Sequence, residues 1–114
     1  MNTECLLIGN SSERRRISFD SIVYIKTEDY ITTFSLLDLK SFICTKPLKE
    51  IKCYLPEYFF QVSRSCIINT EKIYQIKKRT RTVVLLEMIE IEVSYRRYKK
   101  LNLLLANRNV TLAR

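Results

Sequence analysis

The sequence contains no histidine, one glycine and two prolines in 114 residues. Without histidine, a catalytic site lacks its commonest general acid–base group, and a zinc site lacks one of its usual ligands. The four cysteines form no C-x-x-C pair, so we predict neither a metal nor a cofactor. A single glycine excludes a glycine-rich phosphate loop. These absences argue against an enzyme.

Long hydrophobic runs are also missing. No run approaches the roughly 20 apolar residues of a membrane helix, and the N-terminus shows no signal peptide. We therefore expect a cytoplasmic protein, in which Cys44 and Cys66 are small buried residues of a reducing compartment. Hydrophobic residues make up 46% of the chain, which is enough for a core. The length predicts one domain over residues 1–114.

The sequence is strongly basic. Lys and Arg number 20 against 12 Asp and Glu, a formal net charge of +8. This excess is typical of a protein that binds a polyanion, although charge alone leaves a soluble basic protein equally open. The basic residues concentrate in four places: Arg14–Arg16, Arg64, Lys77–Arg81 and Arg96–Lys100. We interpret the first as a solvated strand and the others as candidates for phosphate contacts.

The hydrophobic pattern predicts a mainly β protein. Short alternating segments indicate strands at 5–8, 14–19, 21–26, 30–36, 40–45, 73–76, 83–86 and 89–93. Within 89–93, Glu90 and Glu92 are either a carboxylate pair or, as we favour, the solvated face of a half-buried strand. Helical spacing predicts a short helix from Leu48 that Pro56 stops, and a terminal helix from Tyr95. No pair of helices suggests a helix-turn-helix.

Two arginines stand at junctions between elements. Arg64 lies between two serines where one apolar segment ends and another begins, and Arg96 follows a strand that runs into the terminal helix. Ser94 is placed to cap that helix. An arginine in a first helical turn is unfavourable for the helix itself, because the helix dipole is positive there. The planar guanidinium group of such an arginine can instead form two hydrogen bonds with guanine in the major groove.

The order of segments resembles the LytTR domain, the DNA-binding module of response regulators of the LytR, AlgR and AgrA type. Four segments carry the likeness. They are Ile22-Val23-Tyr24-Ile25-Lys26-Thr27-Glu28-Asp29-Tyr30, Leu48-Lys49-Glu50-Ile51, Phe60-Gln61-Val62-Ser63-Arg64-Ser65-Cys66-Ile67-Ile68-Asn69 and Val93-Ser94-Tyr95-Arg96-Arg97-Tyr98-Lys99-Lys100-Leu101. The third is the most specific to the family.

The resemblance implies an elongated fold of about ten strands in three antiparallel sheets, with one short internal helix and a C-terminal helix. It also implies sequence-specific binding of double-stranded DNA by loops, in two successive major grooves and the minor groove between them. Members bind paired sites, so a second copy on the DNA is expected. No receiver or sensor domain is seen, and we expect either a fragment or a short stand-alone transcription regulator. The DNA-binding residues implied or favoured are Asp29, Tyr30, Arg64, Ser65, Lys77, Lys78, Arg96, Arg97, Lys99 and Lys100.

The sequence departs from the family pattern among these positions. Gln61 stands where arginine is usual, and Ser63 where histidine is usual. Tyr95 directly after Ser94 shifts the arginines by one position. These departures affect the DNA sequence preferred more than the fold. Two other functions stay open: an RNA-binding module that stacks bases on tyrosine and phenylalanine, and a protein-interaction domain whose basic surface meets an acidic partner.

Overall fold

The computed structural model describes residues 4–108, so 1–3 and 109–114 of the predicted domain lie outside it. Ten strands and two α-helices make up the described part, which is mainly β as predicted. The strands are β1 Cys5–Gly9, β2 Arg14–Ser18, β3 Ile22–Glu28, β4 Ile31–Leu36, β5 Ser41–Cys44, β6 Phe59–Ser63, β7 Cys66–Asn69, β8 Ile73–Lys77, β9 Thr82–Leu85 and β10 Ile89–Glu92. The helices are α1 Leu48–Lys52 and α2 Tyr95–Arg108. Neither is long and apolar enough to cross a membrane.

The strands form three antiparallel sheets. β1 and β2 form a hairpin, β10-β9-β8 a three-stranded sheet, and β5-β4-β3-β7-β6 a five-stranded sheet. The described part is elongated, with principal extents of 44 × 35 × 25 Å. This architecture confirms the fold expected from the resemblance.

The five-stranded sheet separates two hydrophobic cores, because successive side chains of a strand point to opposite faces. One face packs against the β1–β2 hairpin and α1, where Phe34 and Ile51 are fully buried. The other face packs against the three-stranded sheet and α2, where Val62, Leu85 and Leu101 are fully buried. Burying each such side chain stabilises the fold by roughly 1.5–3 kcal/mol. Cys44 and Cys66 are buried as predicted.

Several predicted boundaries were wrong by a few residues. Tyr30 is not the first residue of β4 but the second residue of a two-residue turn, since Glu28 pairs with Ile31. Helix α1 ends at Lys52 rather than before Pro56, because the next backbone bonds tighten to the i→i−3 type. In the turns that follow β4 and β9, the backbone has positive φ at 38–39 and 86–87.

Residues other than glycine occupy the left-handed region in four turns. Consecutive positive φ angles occur at 29–30, 38–39 and 86–87, the pattern of a type I′ turn, and Arg81 is a single further case. Asparagine and glycine normally fill such positions, because a Cβ is strained there. The lone Gly9 has no positive φ; a Cβ there would lie 3.0 Å from Cγ of Arg14.

The buried Asn69 locks the end of β7 to the start of β3. Its side-chain Nδ2 donates to the carbonyl of Ile22 at 2.9 Å and to that of Phe19 at 3.4 Å. Its Oδ1 accepts from the N–H of Glu71 at 2.9 Å. The asparagine of the most specific matched segment therefore satisfies buried backbone groups, and it fixes the end of β7 and the turn that follows it.

Candidate nucleic-acid interface

Two predicted contact turns meet at one end of the five-stranded sheet. The β3–β4 turn carries Asp29 and Tyr30, and the β6–β7 turn carries Arg64 and Ser65. These turns and the start of α1 line one open cleft of about 490 Å³. They are neighbours because β3 pairs with β7, which places the end of one beside the start of the other.

Hydrogen bonds hold the β6–β7 turn in place. The Ser65 carbonyl accepts from the N–H of Thr27 at 2.9 Å, and its own N–H donates to Oγ of Ser63 at 3.3 Å. Gln61 Nε2 donates to the carbonyl of Arg64 at 3.5 Å. The turn is therefore fixed through Ser65, which is half-buried, while the Arg64 side chain remains exposed.

Tyr30 projects from the tip of the β3–β4 turn with 89% of its surface exposed. Its φ is 69°, and that of Asp29 is 51°. A tyrosine in this conformation is strained, and such strain persists only where the surrounding structure imposes it. The turn thus presents a large aromatic ring to solvent beside Arg64.

Helix α2 begins beside the same turn. The N–H of Arg97 donates to Ser94 Oγ at 3.4 Å, which confirms Ser94 as the cap. The N–H of Ser94 donates to the carbonyl of Val62 at 3.4 Å, and Nη1 of Arg97 donates to the carbonyl of Gln61 at 3.1 Å. These two bonds join α2 to β6. Arg97 is half-buried by this contact, whereas Arg96 is exposed.

The β8–β9 turn brings a third basic segment to α2. The Arg81 carbonyl accepts from the N–H of Val93 at 2.9 Å, and Arg81 Nε donates back to the Val93 carbonyl at 3.4 Å. Lys77 Nζ lies 2.8 Å from Oε2 of Glu90, an exposed pair of the kind that contributes little to stability. Lys78 is exposed in this turn, as are Lys99 and Lys100 on α2.

These contacts make one continuous surface, which we call the loop edge. It comprises the β3–β4, β6–β7 and β8–β9 turns, the last residue of β8 and the first two turns of α2. All ten predicted contact residues lie on it: Asp29, Tyr30, Arg64, Ser65, Lys77, Lys78, Arg96, Arg97, Lys99 and Lys100. Of the salt bridges between residues 4–108, only that of Lys77 involves one of them. The other cations of the edge are therefore available to an anion.

Sequence reasoning missed several residues of this surface. Lys46 and Lys49 line the cleft with Arg64, although nothing in the sequence connects them to it. Arg81 and Lys99 belong to the predicted basic clusters, but their contacts with the ring of Tyr95, at 5.7 and 5.3 Å from its centroid, were not predicted. The only signal was the position of Tyr95, which departs from the family pattern.

Gln61 and Ser63 have structural roles. Besides its bond to the Arg64 carbonyl, Gln61 accepts from Lys52 Nζ at 3.3 Å. Ser63 Oγ accepts from the Ser65 N–H. Both residues therefore shape the turn that carries Arg64.

Cys66 lies beneath this turn and is chemically inert at neutral pH. Burial raises the pKa of the Cys66 thiol to about 11, and the nearby Lys26 ammonium lowers it only in part. A buried neutral thiol is a poor nucleophile. The residue contributes to the core rather than to chemistry.

Comparison with known proteins identifies the family to which this fold belongs. The model of the LytTr DNA-binding domain family matches residues 12–106. The structure is also similar to the LytTr DNA-binding domain of a Bacillus cereus protein described as a methyl-accepting/DNA response regulator. That likeness has a TM-score of 0.72 at 19% sequence identity, and it covers 90% of this chain and 98% of the other. No curated protein matches the sequence. Because the family model spans most of the chain, this protein belongs to the family of LytTR DNA-binding domains.

Proposed function

We propose that this domain recognises specific sequences in double-stranded DNA as the DNA-contacting part of a bacterial transcription regulator, without catalytic activity. The observation that carries the proposal is the loop edge. Segments far apart in the sequence contribute cations to one continuous surface, and among the ten contact residues only Lys77 has a salt bridge within residues 4–108, so the surface complements the charge of a DNA duplex. In a response regulator such a domain is joined to a receiver domain, and we propose the same coupling here.

Base recognition is assigned to Arg64 and Arg96, with Tyr30 and Asp29 beside them. Both arginines are exposed and are attached to backbone that hydrogen bonds hold in place. A fixed backbone suits base reading, because a bidentate contact to guanine tolerates little misplacement. Asp29 is repelled by phosphates and is assigned to a cytosine amino group.

Backbone contacts are assigned to Lys77, Lys78, Lys99 and Lys100. Their ammonium groups set the position of the domain on the duplex without carrying sequence information. Ser65 and Arg97 are half-buried and hydrogen-bonded within the protein. We assign them first to positioning the readers, although Arg97 retains further N–H donors for a phosphate. Two domains on paired sites would cover successive grooves of one duplex.

The proposal is tested by selecting duplexes from a random-sequence library with the purified domain. The selected duplex, a mixed-sequence duplex and a single-stranded RNA are then titrated at physiological salt. We expect the selected duplex to bind at least about 10³-fold more tightly than the mixed one. Tighter binding to the RNA, or no binding to any nucleic acid, would contradict the proposal.

A further inference from the structure

An exposed tyrosine connects the β8–β9 turn to α2. Tyr95 is the first residue of α2, and 64% of its surface is exposed. The guanidinium of Arg81 lies 5.7 Å from its ring centroid and the ammonium of Lys99 lies 5.3 Å from it. Lys99 follows Tyr95 by four residues and therefore shares its side of the helix. Arg81 arrives from a different element.

Each of the two cations lies against the Tyr95 ring without a carboxylate partner among the described residues. Neither Arg81 nor Lys99 takes part in a salt bridge within residues 4–108. Positive charges that share one aromatic ring repel each other, and the ring offsets only part of this, since an exposed cation–π contact contributes about 0.5–1 kcal/mol. An anion bound beside the ring would relieve the repulsion.

The backbone beneath Arg81 is unusually constrained. Its φ is 52°, its carbonyl accepts from the N–H of Val93, and its Nε donates to the carbonyl of the same residue. The guanidinium therefore stays beside Tyr95. The hydroxyl of Tyr95 has no hydrogen-bond partner in the part of the chain that the structure describes, so it is free to donate to a ligand.

We propose that Arg81, Tyr95 and Lys99 form an anion site that binds the phosphodiester backbone of DNA, where the Tyr95 ring keeps the two cations in position. This inference rests on the proposed DNA binding and adds a contact that the basic clusters alone do not define. A phosphate oxygen accepts from cationic N–H groups and from a tyrosine hydroxyl. The site lies beside Arg96, so it fixes the position from which Arg96 reads a base.

Base reading is a poorer assignment for these three residues. Arg81 Nε is engaged with the protein backbone, and both cationic heads are held at the ring rather than extended from the surface. A side chain that enters a groove must extend beyond the phosphates. The site is therefore expected to act equally on all DNA sequences.

The test is a substitution that changes no charge. Tyr95→Ala is compared with wild type and with Tyr74→Ala, which removes a tyrosine of similar exposure (60%) that contacts no cation in the described part of the chain. Each protein is titrated against the selected and the mixed-sequence duplex over a salt series. We expect Tyr95→Ala to weaken both by roughly tenfold, the scale of two exposed cation–π contacts, and to lower the salt slope by about one unit. Tyr74→Ala should match wild type.

The possible outcomes separate this site from DNA binding in general. If wild type binds and Tyr95→Ala binds with the same affinity and slope, the site is overturned while the proposed function stands. A loss confined to the selected duplex would also overturn it, in favour of base reading. Failure of wild type to bind any duplex would overturn both proposals.

One further variant tests the role of the Tyr95 ring, and another replaces Tyr95→Ala if that protein does not fold. Tyr95→Phe keeps the ring and should keep the wild-type salt slope; a slope as low as that of Tyr95→Ala would contradict the role of the ring. If Tyr95→Ala fails to fold, the double variant Arg81→Gln with Lys99→Gln decides the matter. It must lower the slope by about one unit, as expected for the loss of one phosphate contact, and an unchanged slope would overturn the site.

Discussion

Arg97 donates a hydrogen bond from Nη1 to the backbone carbonyl of Gln61 at 3.1 Å, across a separation of 36 residues. This bond joins the first turn of α2 to β6, three residues before Arg64. The neighbouring Arg96 is thereby held at a fixed position relative to Arg64. One arginine thus positions another, and in the proposed recognition the two exposed arginines would act as one reading surface.

Loss of the Arg97 contact should destabilise the domain. Arg97→Met keeps the length of the side chain and removes its donors, so the hydrogen bond to the Gln61 carbonyl is lost. We expect a loss of about 1–2 kcal/mol, or several degrees in Tm for a domain of this size. Thermal unfolding measures this. Arg79→Met, in the exposed β8–β9 turn, serves as the control and should leave Tm unchanged; equal shifts in both variants would contradict the positioning role.

Arg96 should contribute to specificity rather than to stability. Arg96→Ala is expected to cost roughly 1–3 kcal/mol on the selected duplex and to relax the preference at the base pair that it reads. Because the side chain is exposed, Tm should change little. Titration against duplexes altered one base pair at a time measures the preference. An equal loss on every sequence would identify Arg96 as a backbone contact.

The strained Tyr30 should show opposite effects on stability and binding. Tyr30→Gly relieves a Cβ at φ 69° and should stabilise the fold by about 1 kcal/mol, while DNA binding weakens because the exposed ring is lost. Chemical denaturation and titration with the selected duplex measure the two effects.

The matched control for Tyr30 is Glu87→Gly, which relieves φ 70° in the β9–β10 turn outside the loop edge. It should stabilise the fold similarly and leave DNA binding intact. If Tyr30→Gly leaves DNA affinity at the wild-type value, Tyr30 has no part in recognition.

Because of the buried Cys66, we expect the free energy of unfolding to fall at alkaline pH. Its folded-state pKa of about 11 lies above the ordinary value of 9.0 because burial disfavours the thiolate. The unfolded chain therefore loses this proton first, so the stabilisation is complete below about pH 9 and is lost as the pH rises towards 11. The loss is about 2–3 kcal/mol. Other groups titrate in both proteins, so the difference in unfolding free energy between wild type and Cys66→Ala isolates it. A difference independent of pH would refute this.

Most of the strands could be predicted from the sequence, because alternating residues such as Thr32 and Phe34 report the buried face of a strand directly, whereas β6, β7 and the division into two cores were not predicted. The exact residues that form each turn could not be predicted. In a sequence, glycine or asparagine usually indicates a position with left-handed backbone. Here Tyr30, Leu39 and Leu86 adopt this conformation instead. The pairing of whole strands imposes these conformations, and that pairing is not local information.

For the candidate site as well, some features could be predicted from the sequence and others could not. Arg64 and Arg96 were recognisable because each stands at the junction of two elements. The bond from Arg97 to Gln61 and the contact of Arg81 with Tyr95 depend on how α2 packs against two sheets. No short-range pattern encodes such contacts, so the sequence identified the cations but not the residues that hold them.

The central claim is that the arginines of the loop edge, and not the basic charge in general, recognise DNA. It is tested most directly by comparing two double variants that remove the same charge. One is Arg64→Ala with Arg96→Ala on the loop edge. The other is Arg14→Ala with Arg16→Ala on β2, where both side chains are exposed. The measurement is the ratio of the affinities for the selected and the mixed-sequence duplex. We predict that the loop-edge variant loses most of this ratio, whereas the β2 variant keeps it. An equal loss in both, or a ratio unchanged in the loop-edge variant, would contradict the account.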